Sequence, residues 1–182
     1  MILFTRAHEG RGHWQDRSVN DHDLELLRRA IAISASAREH GNHPFGALLS
    51  DPSGSVVLTA ENTVVTGRDV TGHAETNLVR LASATYEPSE LAAYTLYTSC
   101  EPCAMCAGAI YWAGVGRVVY ALSEVELYRL TGDHDENPTL THPCRSVFAD
   151  GRRPTAVDGP ALEDEARVPH IGFWVDGPTD GG

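Results

Sequence analysis

The stretch YTLYTSCEPCAMCAGAIYWAGVGRVVYAL, residues 94–122, constrains the fold more than any other. Its two ends are short runs rich in aromatic and β-branched residues. Between them lies an apolar segment opened by Pro102 and closed by Gly114. Proline suits the first helical position because its missing N–H has no partner there, and glycine readily ends a helix. The segment reads as strand, helix, strand. A crossover of this kind joins parallel strands, and parallel sheets carry helices on both faces. The chain is therefore expected to be α/β.

The flanking patterns extend this layout. From about Asn20 to His40, Leu24, Leu27, Ile31 and Ala35 recur at helical intervals, joined by Leu26, Ala30 and Ile33. Asn20 or Asp21 can cap the start, and Gly41 supplies a stop. FGALLS and SVVLTAEN flank Asp51-Pro52-Ser53-Gly54 and read as a hairpin. Residues 63–72 are expected to be a loop, and HAETNLVRLASAT a helix with Leu78 and Leu81 on one face. Beyond Ser123, short helices are expected near EVELYRLT, PCRSVFAD and LEDEAR, and a strand near Thr155–Val157. The expected architecture is a three-layer α/β/α domain, with a mixed sheet of about five strands covered by helices on both faces. Residues 1–20 read as an N-terminal arm, 21–157 as the domain, and 158–182 as a C-terminal helix with a flexible aromatic tail.

Charge and cysteine usage narrow the function. With 14 basic and 25 acidic side chains the balance is 14 − 25 = −11. This disfavours a nucleic-acid partner, whose phosphates need basic side chains to displace counterions. No apolar run approaches the roughly 18 residues of a membrane helix, and the apolar start is too short for a signal-peptide core. A cytoplasmic location without membrane contact is the expectation. Three of the four cysteines, Cys100, Cys103 and Cys106, fall within seven residues, with Cys144 apart from them. Without a secretion signal, a metal or reduced thiols fit better than disulfides.

Cys103 and Cys106 lie three apart in the first turn of one helix, whose N-terminus favours thiolate. Thirty residues upstream, His73-Ala74-Glu75 opens the preceding helix. Helix N-termini in parallel α/β folds gather at one sheet edge, so the two first turns can face one cleft. His73, Cys103 and Cys106 then supply three zinc ligands and leave a fourth position for water, the pattern of a catalytic zinc. Glu75, two residues from a ligand, is placed to move protons at that water. Two alternatives stay open on spacing alone: a Cys100/Cys103 pair, and a closed four-cysteine structural site.

H-A-E followed by P-C-A-M-C resembles the signature of the zinc-dependent cytidine/adenosine deaminase superfamily. HPFGALL, AEN and LYTSCEPCAMCAGAIYW resemble its branch of guanine deaminases, bacterial tRNA adenosine deaminases and fungal-type cytosine deaminases. The likeness covers about residues 22–122 and implies the cytidine deaminase-like fold, one catalytic Zn2+ per chain and a homodimer. Carried over by position, it implies His73, Cys103 and Cys106 as zinc ligands and Glu75 as the catalytic acid/base. It also implies substrate contacts from Asn62, Phe45, Trp112, the Ala74 amide and the Ser99 carbonyl. Asp135 or Glu136, in the run GDHDEN, occupies a region from which related purine deaminases bring an acid to the base.

The reaction implied is hydrolytic removal of an amino group from a free nucleobase or small amino-heterocycle, with water as co-substrate and ammonia as product. Guanine leads, followed by cytosine, a triazine or a nucleoside. A tRNA adenosine deaminase is disfavoured by the acidic C-terminal region, and a catalytically silent zinc-bound interaction module by the presence of Glu75. Phe173-Trp174 is expected to stack over the bound base as a lid. Glu101 is expected to contact the substrate or a neighbouring loop, with the structural role preferred. Cys100, Cys144, His8 and His13 are given no chemical role.

Overall fold

The computed structural model describes residues 18–174. The remainder of the N-terminal arm, with His8 and His13, and the tail beyond Trp174 lie outside the described residues.

Helix α1 (Asp21–Glu39) starts at Asn20, whose side chain accepts the Asp23 N–H while the Asp23 carboxylate accepts the Asn20 N–H. This reciprocal box satisfies two amide donors that the first turn leaves unpaired. Strands β1 (Gly46–Ser50) and β2 (Val56–Glu61) form the expected antiparallel hairpin. Next come a one-turn helix, α2 (Val64–Gly67), where a loop was expected, and then α3 (Ala74–Thr85) and α4 (Pro88–Leu91). Strand β3 (Thr95–Cys100), helix α5 (Ala104–Ala113) and β4 (Arg117–Leu122) make the crossover read from the sequence. The C-terminal part supplies α6 (Glu124–Thr131), α7 (Cys144–Ala149), β5 (Ala156–Asp158), α8 (Glu163–Arg167) and a single 3-10 turn at Val168–His170.

The sheet order is β2-β1-β3-β4-β5, with β1 antiparallel to both neighbours and β3, β4 and β5 parallel. Side chains alternate between faces along each strand. Leu49, Leu96, Val118 and Tyr120 pack with α3, α5 and α7, while Leu48, Tyr97, Val119 and Ala121 pack with α1, α6 and α8. The result is the three-layer α/β/α domain, its sheet sandwiched between two apolar layers. Contact is close: a Cβ on Gly46 would lie 2.5 Å from the Ala30 carbonyl oxygen, so α1 rests directly on the start of β1.

Two expectations are corrected. Leu78 is buried, but Leu81 is 47 % exposed and does not share its face. Helix α5 begins at Ala104 with Cys103 as its N-cap, so Pro102 precedes the cap instead of opening the helix. Gly114 ends α5 as read, with φ 87°.

Strand directions decide where loops converge. Both β2 and β3 run opposite to β1, so their C-terminal ends reach the same edge of the sheet, where β1 begins and the parallel β4 and β5 also end. Residues preceding β1 and those following β2, β3, β4 and β5 therefore meet at one rim. Ligand sites of open α/β sheets form at such carboxyl ends. Away from that rim, buried Asp23 binds Arg117 at 2.7 Å and the Tyr97 hydroxyl at 2.7 Å. Burial pushes its carboxyl up, but the Arg117, Asn20 and Tyr97 hydrogen bonds outweigh this and hold it at about 2.

Candidate active site

His73 and Cys103 are the N-cap residues of α3 and α5, and Cys106 lies in the first turn of α5. The rim thus brings one imidazole and two sulfurs together, their ligand atoms all within 4.8 Å of one another. His73 Nδ1 lies 3.7 Å from Cys103 Sγ and 3.5 Å from Cys106 Sγ. Zn–S and Zn–N bonds of about 2.3 and 2.1 Å at a tetrahedral angle require N···S separations of roughly 3.6 Å. The donor set and its spacing fit zinc. Cys106 and His73 hold the Cys103 thiol down to about 4, toward the thiolate form a metal needs, while the Cys103 sulfur and burial push the Cys106 thiol up.

Glu75, on the first turn of α3, is 5 % exposed. Its Oε1 accepts the Thr98 hydroxyl at 3.0 Å, and its Oε2 lies 3.6 Å from Cys106 Sγ, on the side of the three ligands. Burial raises its carboxyl pKa, and His73 only partly offsets this. A buried carboxyl so placed can both hold and return a proton.

A cavity of about 520 Å³ opens in front of this group, a size suited to a small molecule. His73, Glu75 and Cys103 line one side, and Asp135, Glu136, Pro138 and Leu140 the facing loop. Val64, Val65 and Val70, with His43 and Phe45, also line it.

The other residues expected at the site fare differently. Phe45 and Glu136 line the cavity. Asn62, Ala74 and Ser99 are buried at the rim without forming the cavity wall. The Asn62 Oδ1 accepts the Val64 N–H, leaving its amide nitrogen with no partner among the described residues. Ser99 Oγ accepts the Gly46 N–H and ties β3 to β1. Trp112 is 77 % exposed on α5 and does not reach the cavity. A helical stripe with Met105, Gly108 and Ala109 explains its outward aim.

Trp174 is likewise not a lid in this structure. It is 6 % exposed, stacks on His170 at 15° and meets His43, Phe45 and His134 at 5.4, 6.1 and 5.6 Å between ring centres. Trp174 therefore backs the residues of the wall instead of covering the opening. Its indole N–H donates to His170 Nδ1 at 3.1 Å, so the neutral His170 ring carries its proton on Nε2, which faces Cys100 Sγ at 3.5 Å. Cys100 thus meets a donor, not a base, and burial drives its thiol pKa well up. It is not an activated nucleophile, and its sulfur lies outside the metal group. Glu101 lines the cavity, and its carboxylate accepts the Cys144 and Glu124 N–H groups and so holds the neighbouring elements.

Sequence reasoning missed Thr98, His43 and Glu124. Thr98 was detectable as a hydroxyl within the otherwise apolar inner positions of β3. Glu124, which lines the cavity, is raised to about 7 by burial and by Cys103, Glu101 and Glu75.

Residues 20–122 match the family described as the cytidine and deoxycytidylate deaminase zinc-binding region, and the chain belongs to it. It is a hydrolytic deaminase of the nucleobase and nucleoside class, with a single zinc held by the His/Cys/Cys group. A Schizosaccharomyces pombe protein named a probable cytosine deaminase is 45 % identical over 159 residues, covering 87 % of this chain and 96 % of its own. The guanine deaminase of Bacillus subtilis is 39 % identical over 102 residues, covering 56 % of this chain and 65 % of its own. Among solved structures, a guanine deaminase from Nitrosomonas europaea superposes with a TM-score of 0.70 at 25 % identity, covering 88 % of both chains. No helix among the described residues is long and apolar enough to cross a membrane.

Proposed function

We propose that the chain deaminates a free nucleobase, with guanine as the preferred substrate. The observation that carries this reading is the pair of carboxylates, Asp135 and Glu136, on the cavity wall formed by the 132–143 loop. Ionised carboxylates only accept hydrogen bonds. Guanine offers two ring N–H donors besides its reacting amino group, whereas cytosine offers one.

His73, Cys103 and Cys106 would hold the zinc, which when bound would supply the polarisation that makes water nucleophilic near neutral pH. Glu75, whose Oε2 faces the Cys106 sulfur while Thr98 occupies Oε1, takes a proton from water and delivers it to the ring nitrogen beside the reacting carbon. It then carries the second proton to the departing amino group, so that water and the aminated ring become ammonia and the ring carbonyl. The Asn62 amide nitrogen donates to a ring acceptor, and Phe45 packs against the base. The Ala74 amide and the Ser99 carbonyl stay with the reading as backbone contacts.

Cytosine is the second reading, favoured by the near full-length similarity to the S. pombe protein. Ammonia release from guanine, cytosine, adenine and their nucleosides separates the two. Faster turnover of cytosine than guanine overturns the guanine assignment. A homodimer is part of the proposal, with Trp112 and Met105, exposed on α5, at its interface. Light scattering of Trp112→Glu should show monomer where the wild type shows dimer. The chain is proposed to work in the cytoplasm.

A further inference from the structure

The loop from Gly132 to Pro143 carries no regular element, and its backbone bonds are local: Gly132 N–H to Tyr128, Asn137 N–H to His134 and His142 N–H to Leu140. Its side chains also bond nearby, Asp133 to Tyr128 and Asn137 to Thr131. Among the described residues one polar side-chain contact crosses from this loop to a distant element. His43 Nε2 lies 3.3 Å from Glu136 Oε2, ninety-three residues along the chain.

The two partners differ sharply in freedom. The His43 side chain is 8 % exposed, fixed in the turn before β1 between Phe173 and Trp174, at 6.0 and 5.4 Å between ring centres. Glu136 is 62 % exposed, on a loop with no ladder to hold it. An exposed carboxylate loses conformational entropy when fixed, so a rigid donor that fixes it in advance lowers the cost of using it on a ligand. Burial lowers the His43 pKa against the opposing pull of Glu136, which keeps the ring neutral with one N–H to give. A carboxylate oxygen facing it requires that N–H to be on Nε2.

We propose that His43 is a positioning residue for substrate selection: its Nε2–H holds one Glu136 oxygen, so that the other is presented to a ring N–H of the bound base. The inference rests on the reading of Glu136 as a substrate contact and adds the residue through which that contact is preorganised. His43 takes no part in proton transfer at the zinc side.

The test is steady-state kinetics on guanine and cytosine with zinc content measured for every variant. His43→Phe keeps a planar ring and removes the N–H, and should raise KM for the preferred base about tenfold, the size of one charge-assisted hydrogen bond, with kcat within twofold. His43→Gln retains a donor and should recover most of that loss. Glu136→Gln should raise KM comparably, and His43→Phe added to it should cost nothing further, because both substitutions remove one interaction. If Glu136→Gln raises KM and His43→Phe multiplies that rise independently, or lowers kcat at constant KM, the positioning role is overturned while the Glu136 contact stands. If Glu136→Gln leaves KM unchanged on both bases, the contact itself fails and this inference with it. Should His43→Phe lose zinc or fold poorly, His43→Gln in both Glu136 backgrounds gives the same cycle: a recovered KM supports the role, and a full rise overturns it.

Discussion

On one side of the cavity His73, Glu75 and Cys103 stand at the starts of α3 and α5, two helices rooted in the sheet, with buried Cys106 completing the metal group. On the other, Asp135 and Glu136 sit on a loop that leans on His43 and, through His134, on the Trp174 and His170 rings. The first wall is placed by backbone geometry, because strand direction alone brings both helix starts to one rim. Side-chain packing from two remote segments places the second. Under the proposed function, proton chemistry belongs to the part placed by the sheet and its helices, and substrate choice to the part placed by side-chain packing.

The sharpest way to break this division is Glu75→Gln. A residue that moves protons typically contributes a factor of roughly 100 to 10,000. We expect kcat to fall within that range while zinc content, KM and melting temperature stay near wild type. A fall in zinc content instead would show that Glu75 holds the metal group and not the proton. The counterpart on the other wall is Trp174→Ala. Removing a buried tryptophan costs about 3–5 kcal/mol in general. Here the expected loss is about 3 kcal/mol by urea unfolding, with a raised KM and unchanged zinc. Equal damage to metal content would mean that the two walls are one cooperative unit.

Acid should separate them as well. Burial depresses the His170 pKa to about 4, from an ordinary value of 6.5. The unfolded chain then takes up this proton more readily than the folded one, so stability falls as pH drops from about 6.5 to 4. The loss tends to about 3 kcal/mol when complete. His170→Gln carries no such group, so its stability should decline less over that window, while zinc release on acidification is common to both proteins. Parallel curves would remove His170 from the account.

How far the sequence could be read follows the same boundary. The five strands, the crossover helix and the metal trio were legible because alternation, helical spacing and the His-x-Glu and Cys-x-x-Cys intervals are short-range patterns. Trp112 was misplaced because an aromatic on an apolar helix has the same local signature whether it faces a ligand, a core or a second chain. Trp174 was read as a mobile cover because nothing near it in sequence announces His43, Phe45 and His134, which are joined to it only in space. His43 was passed over for the same reason, its partner lying ninety-three residues away.

Thr98 gives the smallest effect and the finest resolution within the first wall. Thr98→Val keeps the shape of the side chain and removes the O–H that Glu75 Oε1 accepts at 3.0 Å. That bond favours the ionised carboxyl, opposing burial, so its loss raises the Glu75 pKa further. The acidic limb of the kcat/KM profile should therefore move to higher pH, and kcat at neutral pH should fall about tenfold, the magnitude of one charge-assisted hydrogen bond. The carboxyl also gains freedom to rotate, which puts its proton-carrying oxygen out of line with the ring nitrogen for part of the time. KM should not change, because Thr98 lies behind Glu75 and does not line the cavity. A raised KM with an unmoved pH profile would mean that the hydroxyl shapes the pocket, not the acid. The rigid wall would then share in substrate choice, and the division between the two walls would lose its basis.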